Sequence, residues 1–149
     1  MSSIDCALCR QDHTEPSGEG DLLWQDSRCR VVRVTGAEGE QFPGFCRVIW
    51  HEHVKEMSDL TATDAAHLMQ VVLAVERTLR LLLTPDKINL ASLGNMVPHV
   101  HWHVIPRWQN DSHFPAPIWA TASRTNLPRD TPLNAVLQKA LNQQLSFRS

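Results

Sequence analysis

No run of apolar residues in this sequence is long enough to span a bilayer, so no helical membrane anchor is expected. The first residues, MSSIDCALCRQDHTEP, lack the apolar centre of a secretory signal. Internal repeats and low-complexity tracts are absent as well, which excludes solenoids and linker-like tails. Excess charge of one sign is missing too: the formal net charge is −2, with 20% charged residues. A chain so balanced has no broad basic footprint for a nucleic acid polymer or an anionic membrane. Cysteine is sparse, at four residues in 149. A chain of this length can bury a core without a disulfide framework. These absences leave a single cytoplasmic domain spanning 1–149, with an ordinary 42% of hydrophobic residues.

The strand and helix signals are clear in most of the chain. Residues 13–21 are polar with Gly and Pro and read as a loop. DLLWQD and RCRVVRV read as two strands joined by a tight turn near Ser27. Residues 34–44 read as a second loop, and FCRVIW (45–50) as a third strand. Thr61 followed by Asp64 resembles a capping box. Leu68, Val71, Val72, Val75, Leu79, Leu82 and Leu83 then recur every three or four residues, which predicts one long helix stopped by Pro85. KINLASL (87–93) and HVHWHVIP (99–106) read as two more strands. The stretch 131–145 reads as a C-terminal helix with Thr131 as N-cap and Pro132 at its first position. The predicted class is α+β, a mostly antiparallel sheet of about five strands with one long helix and a C-terminal helix.

The chain has eight histidines, and three of them, His99, His101 and His103, alternate with Val100, Trp102 and Val104. Side chains along a strand point alternately to opposite faces, with same-face neighbours roughly 6.5–7 Å apart. The apolar set therefore anchors the strand, and the three imidazoles form one polar stripe. Solvent faces usually carry Thr, Lys, Glu or Ser, so a stripe of histidine alone points to chemistry. Two chemistries suit it: a metal site, or acid–base and nucleophilic work on a phosphoryl group near neutral pH.

HVHWHV followed by IPR resembles the signature of the histidine-triad (HIT) nucleotide hydrolases and transferases. FPGFCRVIWHEHVKEMSDL resembles that family's upstream strand, and PDKINLASLGN the strand preceding the triad. The likeness covers a HIT core of about 20–109, flanked by an N-terminal CxxC segment (1–20) and a C-terminal flap and helix (110–149). It is nearest to the bacterial branch of dinucleoside-polyphosphate hydrolases. The resemblance implies a HIT-like fold and cleavage at the α-phosphate of a nucleoside phosphoanhydride or phosphoramidate, releasing a nucleoside monophosphate. His101 would be the nucleophile, forming a nucleotidyl-histidine. His103 would contact the phosphate and assist the leaving group, and His99 would support the site from the side. Asn89 matches, within one residue, a family asparagine near the phosphate. Asn95 stands where relatives often carry Gln, and Met96 where they carry Ser or Thr.

The same resemblance gives CALC a meaning. Some bacterial relatives hold a zinc with an N-terminal C-x2-C, a histidine after the upstream strand and the first triad histidine. The matching residues are Cys6, Cys9, His53 and His99, with His51 as the fallback ligand. Two thiolates and two imidazoles make a closed structural zinc set. Cys29 and Cys46 sit in apolar runs and read as buried small hydrophobes. His13, His67 and His113 read as loop, helix surface and loop. Pro115, Pro117 and Trp119 could form a stiff flap over the triad with His113. Arg107 reads either as a phosphate-steering cation or as an ordinary surface charge, and Trp102 as core or interface. Relatives form homodimers, so a homodimer is the implied state. Two other readings compete: a metalloenzyme with His99, His101 and His103 as catalytic ligands, and a nucleotide-binding regulatory module without turnover.

Overall fold

The computed structural model describes residues 5–9 and 20–146; His13 and most of the loop 13–21 lie outside them. The elements are β1 (Asp21–Gln25), β2 (Cys29–Arg33), α1 (Gly36–Gln41), β3 (Cys46–Trp50), a 3-10 turn at Met57–Asp59, α2 (Ala62–Leu83), β4 (Lys87–Ala91), β5 (His101–Arg107) and α3 (Asn134–Ser146). The five strands form one sheet in the order β1-β2-β3-β5-β4, and every pairing is antiparallel. The α+β expectation holds.

Period-two alternation sorts the two faces of the sheet. Cys29 and Val31, Cys46 and Val48, and Val100 and Val104 turn to one side, with Trp102 packed beside them. They meet Leu68, Val71, Val72, Val75 and Leu79 of α2 and Leu137 and Leu141 of α3 in the main core. Burying each such side chain contributes about 1.5–3 kcal/mol, which makes this face the main source of stability. Thr61 caps α2 by accepting the Asp64 N–H at 3.1 Å, and Thr84 ends it in a left-handed conformation ahead of Pro85. Cys29 and Cys46 are buried in this core as read; burial pushes the Cys46 thiol up to about 12.

Two readings of local structure need correction. The loop 34–44 contains a short helix, α1. Gly36, Gly39 and Pro43 disguise it, and tertiary contacts hold it. Phe42 at its end is buried with Val34, Phe45, Ile105 and Ile118, and Glu38 pairs with Arg47 at 3.0 Å. The C-terminal helix starts at Asn134, two residues later than the cap signal suggested. Arg33 claims that signal: its Nη2 donates to Thr131 Oγ1 at 2.6 Å and its Nη1 to the Pro132 carbonyl at 2.8 Å.

Candidate active site

The sheet face opposite α2 carries the histidines. β5 lies between β3 and β4, with Ile49 opposite His101, and Arg47 and Ala91 on either side of His103. The stripe is covered: His99, His101 and His103 are 1%, 9% and 6% exposed. The cover comes partly from the flap after β5. The Trp119 ring stands edge-on to His103, with centroids 5.1 Å apart. A groove of about 400 Å³ opens beside this contact, lined by Asn89, Ala91, Ile105, Ile118 and Trp119 among others.

His101 Nδ1 donates to the His99 carbonyl at 2.6 Å. An imidazole that donates from Nδ1 keeps a lone pair on Nε2. Burial pushes the His101 pKa down, the His99 carbonyl opposes this, and Arg47 lowers it further. His103 is pushed to about 3 by burial, by His101 and by Arg47. Both rings are neutral at physiological pH. His103 Nδ1 is buried with no partner among the described residues. A proton there would be a donor without an acceptor, so it belongs on Nε2. The site thus presents one nucleophilic nitrogen and one neutral N–H donor, with ring centroids 4.9 Å apart.

His99 faces elsewhere. Its Nε2 donates to the Trp50 carbonyl at 2.6 Å, and its Nδ1 lies 3.5 Å from Cys6 Sγ, 3.3 Å from Cys9 Sγ and 3.3 Å from His53 Nδ1. Cys9 Sγ is 3.3 Å from His53 Nδ1. Bonds of about 2.0 Å to nitrogen and 2.3 Å to sulfur in a tetrahedron require ligand–ligand edges of about 3.3–3.8 Å. The four donor–donor distances above lie in that range, all four donors lie within 4.8 Å of one another, and the carbonyl behind His99 is the usual outer partner of a ligating imidazole. Cys6, Cys9, His53 and His99 therefore fit a tetrahedral cation; His51 is outside the group. Burial and the neighbouring Cys6 push the Cys9 thiol up to about 11, so this thiol keeps its proton unless a cation replaces it. The ring of His99 faces this cluster, while its carbonyl accepts from His101.

Asp26, Cys29 and His67 are the other group spaced for a metal among the described residues. Asp26 already accepts from the Arg28 and Cys29 N–H groups at 2.8 Å and from His67 Nε2 at 2.6 Å. It braces the β1–β2 turn against α2, and His67 is half-buried rather than a helix-surface residue. Neither group includes His101 or His103, so the catalytic-metal reading of the triad has no convergent ligand set among the described residues.

Arg107 overturns both of its readings. It is 1% exposed, and its guanidinium donates to Asp111 at 2.7 and 3.1 Å, to Asn89 Oδ1 at 2.8 Å and to the Ala116 carbonyl at 2.8 Å. Strand parity turns it to the triad face, where the flap closes over it. His113 is packed too, its ring edge-on to Phe42 at 5.2 Å and its Nδ1 sharing a hydrogen bond with Ser112 Oγ at 2.8 Å. The flap reaches the triad through Trp119 instead. Asn95 is exposed in the loop before β5. Trp102 packs on the core and donates from Nε1 to Met57 Sδ at 3.3 Å. Sequence reading missed Arg47. Its place two residues before Ile49 in FCRVIW was the available signal, once that strand is set against β5.

Comparison with known proteins agrees with this fold. The chain is 30% identical over 95 residues to AP-4-A phosphorylase from Mycobacterium tuberculosis (strain CDC 1551 / Oshkosh), covering 60% of this chain and 49% of that protein. The chain thus spans about half the length of the curated relatives it matches. A histidine triad protein from Bradyrhizobium japonicum superposes with a TM-score of 0.67 at 26% identity, over 85% of this chain and 90% of that one. A Zn-bound histidine triad family protein from Mycobacterium smegmatis has the same fold, with a TM-score of 0.64 at 19% identity over 99% and 100% of the two chains. The HIT domain family model matches residues 19–110, and the chain belongs to the HIT family.

Proposed function

We propose that this protein is a nucleotide hydrolase that cleaves at the α-phosphate of a nucleoside phosphoanhydride, such as a diadenosine polyphosphate, through a nucleotidyl-His101 intermediate. The observation that carries the reading is the 2.6 Å bond from His101 Nδ1 to the His99 carbonyl, which leaves Nε2 free to attack. The Nε2 lone pair forms the N–P bond as the bond from phosphorus to the bridging oxygen breaks. The electron pair leaves with the departing phosphate, which is stable as an anion. His103 Nε2–H donates a hydrogen bond to it without transferring a proton. Water then attacks phosphorus, the N–P bond breaks, and its electrons return to His101. The proton of that water passes to solvent, and a nucleoside monophosphate is released. A neutral His103 suits a leaving group that needs no proton, which favours anhydrides over phosphoramidates. Asn89 and Asn95 are the proposed amide donors to the phosphate oxygens, where fixed donors lower the barrier as charge develops. The name of the Mycobacterium tuberculosis relative, AP-4-A phosphorylase, supports a dinucleoside polyphosphate as substrate.

Cys6, Cys9, His53 and His99 would hold a zinc ion, whose role is structural: it would clamp the N-terminal segment onto the strand before β5. The Zn-bound Mycobacterium smegmatis neighbour and the tetrahedral spacing support this. A cytoplasmic homodimer belongs to the same proposal, and light scattering at micromolar concentration tests the dimer. Among the described residues no helix is long and apolar enough to cross a membrane.

The test is turnover of diadenosine polyphosphates, an adenosine phosphoramidate and adenosine phosphosulfate, with zinc measured on the same samples. His101→Ala should lose activity by at least about a thousandfold at unchanged zinc content. Turnover that survives His101→Ala, or a wild type that binds nucleotide without turning it over, would refute the reading.

A further inference from the structure

We infer that Arg107 is a positioning residue: through Asn89 it sets which end of an amide faces the groove beside His103, and through Asp111 and Ala116 it sets the opposite wall. The inference rests on the reading of His101 and His103 as the groups that transfer a nucleotidyl unit.

A guanidinium has only donors. The Asn89 atom 2.8 Å from Arg107 Nη1 must therefore be its carbonyl oxygen, and the amide cannot be flipped. Among the described residues neither N–H bond of Asn89 has a partner, and both are left for the groove that this residue lines. Asn89 lies one residue from the position directly opposite Val104, and Ala91, two further along β4, faces His103. The oriented donors are thus close neighbours of the triad on one sheet face.

Arg107 itself cannot serve substrate, being 1% exposed with Nε and Nη2 committed to Asp111 and the Ala116 carbonyl. Its planar fork spans strand β5, strand β4 and the flap at once. That flap carries Ile118 and Trp119, which line the groove from the other side. A lysine would keep the charge opposite Asp111, but a single ammonium cannot reproduce the three-way fork. Arg107 thus holds two walls of one groove in register from beneath it.

A purely structural role for Arg107 predicts something different: loss of stability, with any loss of turnover indifferent to Asn89. Kinetics on the best substrate of the panel separate the two, using wild type, Arg107→Lys, Asn89→Ala and the double variant. Arg107→Lys should leave KM within about threefold and lower kcat by roughly 100-fold, the lower end of what losing one donor to a developing oxyanion costs. In the Asn89→Ala background the same change should lower kcat by less than about threefold. Equal losses in both backgrounds, or an unchanged kcat, would overturn the proposal. Asn89→Asp serves if Arg107→Lys does not fold. It keeps an acceptor for Arg107 but removes both donors, and it should lose kcat as Asn89→Ala does; full retention overturns the proposal. A readout without turnover uses AMP as the probe. The side-chain amide resonances of Asn89, identified by their loss in Asn89→Ala, should move on AMP titration of the wild type. Static resonances at saturating AMP overturn the positioning role. If the wild type turns over nothing in the panel but these resonances respond, the hydrolase reading fails while the orientation of Asn89 stands.

Discussion

Removing the Asp111 carboxylate should loosen the flap more than any other single change in it. Asp111 is 5% exposed, and its Oδ2 accepts from Arg107 Nε at 2.7 Å and the Trp108 N–H at 3.2 Å. Its Oδ1 accepts from Arg107 Nη2 at 3.1 Å and from the His113 and Phe114 N–H groups at 2.9 and 2.7 Å. Burial works to raise its pKa, but the Arg107 bond and then the three backbone bonds bring it from 3.8 down to about 2. At about 1.4 kcal/mol per unit, that displacement is worth roughly 2.5 kcal/mol. The folded pKa is depressed, so this stability is present above about pH 4 and is lost as pH falls through 2. Asp111→Ala also leaves the Arg107 guanidinium buried without a counter-charge, a situation that costs about 3–5 kcal/mol. At roughly 3 °C per kcal/mol for a chain of this size, Tm at pH 7 should fall by about 12 °C. Scanning calorimetry of wild type and Asp111→Ala from pH 7 to pH 3 is the assay, and the gap should narrow toward the acid end. Adding Arg107→Met to Asp111→Ala should recover part of the loss, because the stranded charge goes with it. A gap at pH 7 below about 3 °C, or one that does not change with pH, would refute the account of the ion pair as the knot of the flap.

The pKa of His103, pushed to about 3 by burial, by His101 and by Arg47, has its own acid signature. Between pH 6.5 and 3 the unfolded chain binds the proton that the folded chain refuses, so stability falls as pH falls through that window. The ceiling is about 5 kcal/mol, and urea melts of His103→Gln should show a flatter acid limb than wild type. Cys9→Ser should lower bound zinc well below one ion per chain by elemental analysis and lower Tm; an unchanged metal content would remove Cys9 from the ligand set. Trp119 is 47% exposed, so Trp119→Ala should hardly move Tm. It should lower kcat/KM about fivefold, the worth of one edge-on aromatic contact of about 1 kcal/mol at His103; unchanged kinetics would detach the flap from the site.

Parts of the fold ruled by short-range periodicity were legible in the sequence. The sheet, α2 and the two faces of β5 follow from alternation at two and at 3.6 residues, and the core obeys the same parity. What was not legible depends on residues far apart in the chain. Thr131 carries a helix-cap signal, but Arg33, 98 residues away, takes its hydroxyl. Residues 36–41 carry glycine and read as loop, yet Phe42 and Glu38 find partners in the sheet and the flap that hold a short helix. Arg107 follows the triad in the position of a surface charge, and nothing local announces that Asp111 will accept two hydrogen bonds from it and three more from the flap backbone.

The histidine stripe shows the same division in one element. Parity predicts that His99, His101 and His103 share a face, and it cannot say that they serve different ends. His99 stands before the regular strand, where Val100 still pairs with β3 and the segment after it, its carbonyl accepting the Trp50 N–H at 3.1 Å and its N–H donating to the Val54 carbonyl at 2.7 Å. That departure lets the ring swing to Cys6, Cys9 and His53 while the carbonyl stays under His101. One residue therefore belongs to the thiol cluster by its side chain and to His101 by its backbone. Anything that shifts the His99 ring must also tilt the acceptor that holds the proton on His101 Nδ1. The two sites, separate in chemistry, are joined by the three bonds between an imidazole and its own carbonyl. Anchoring that carbonyl from the far side holds His101 in one tautomer.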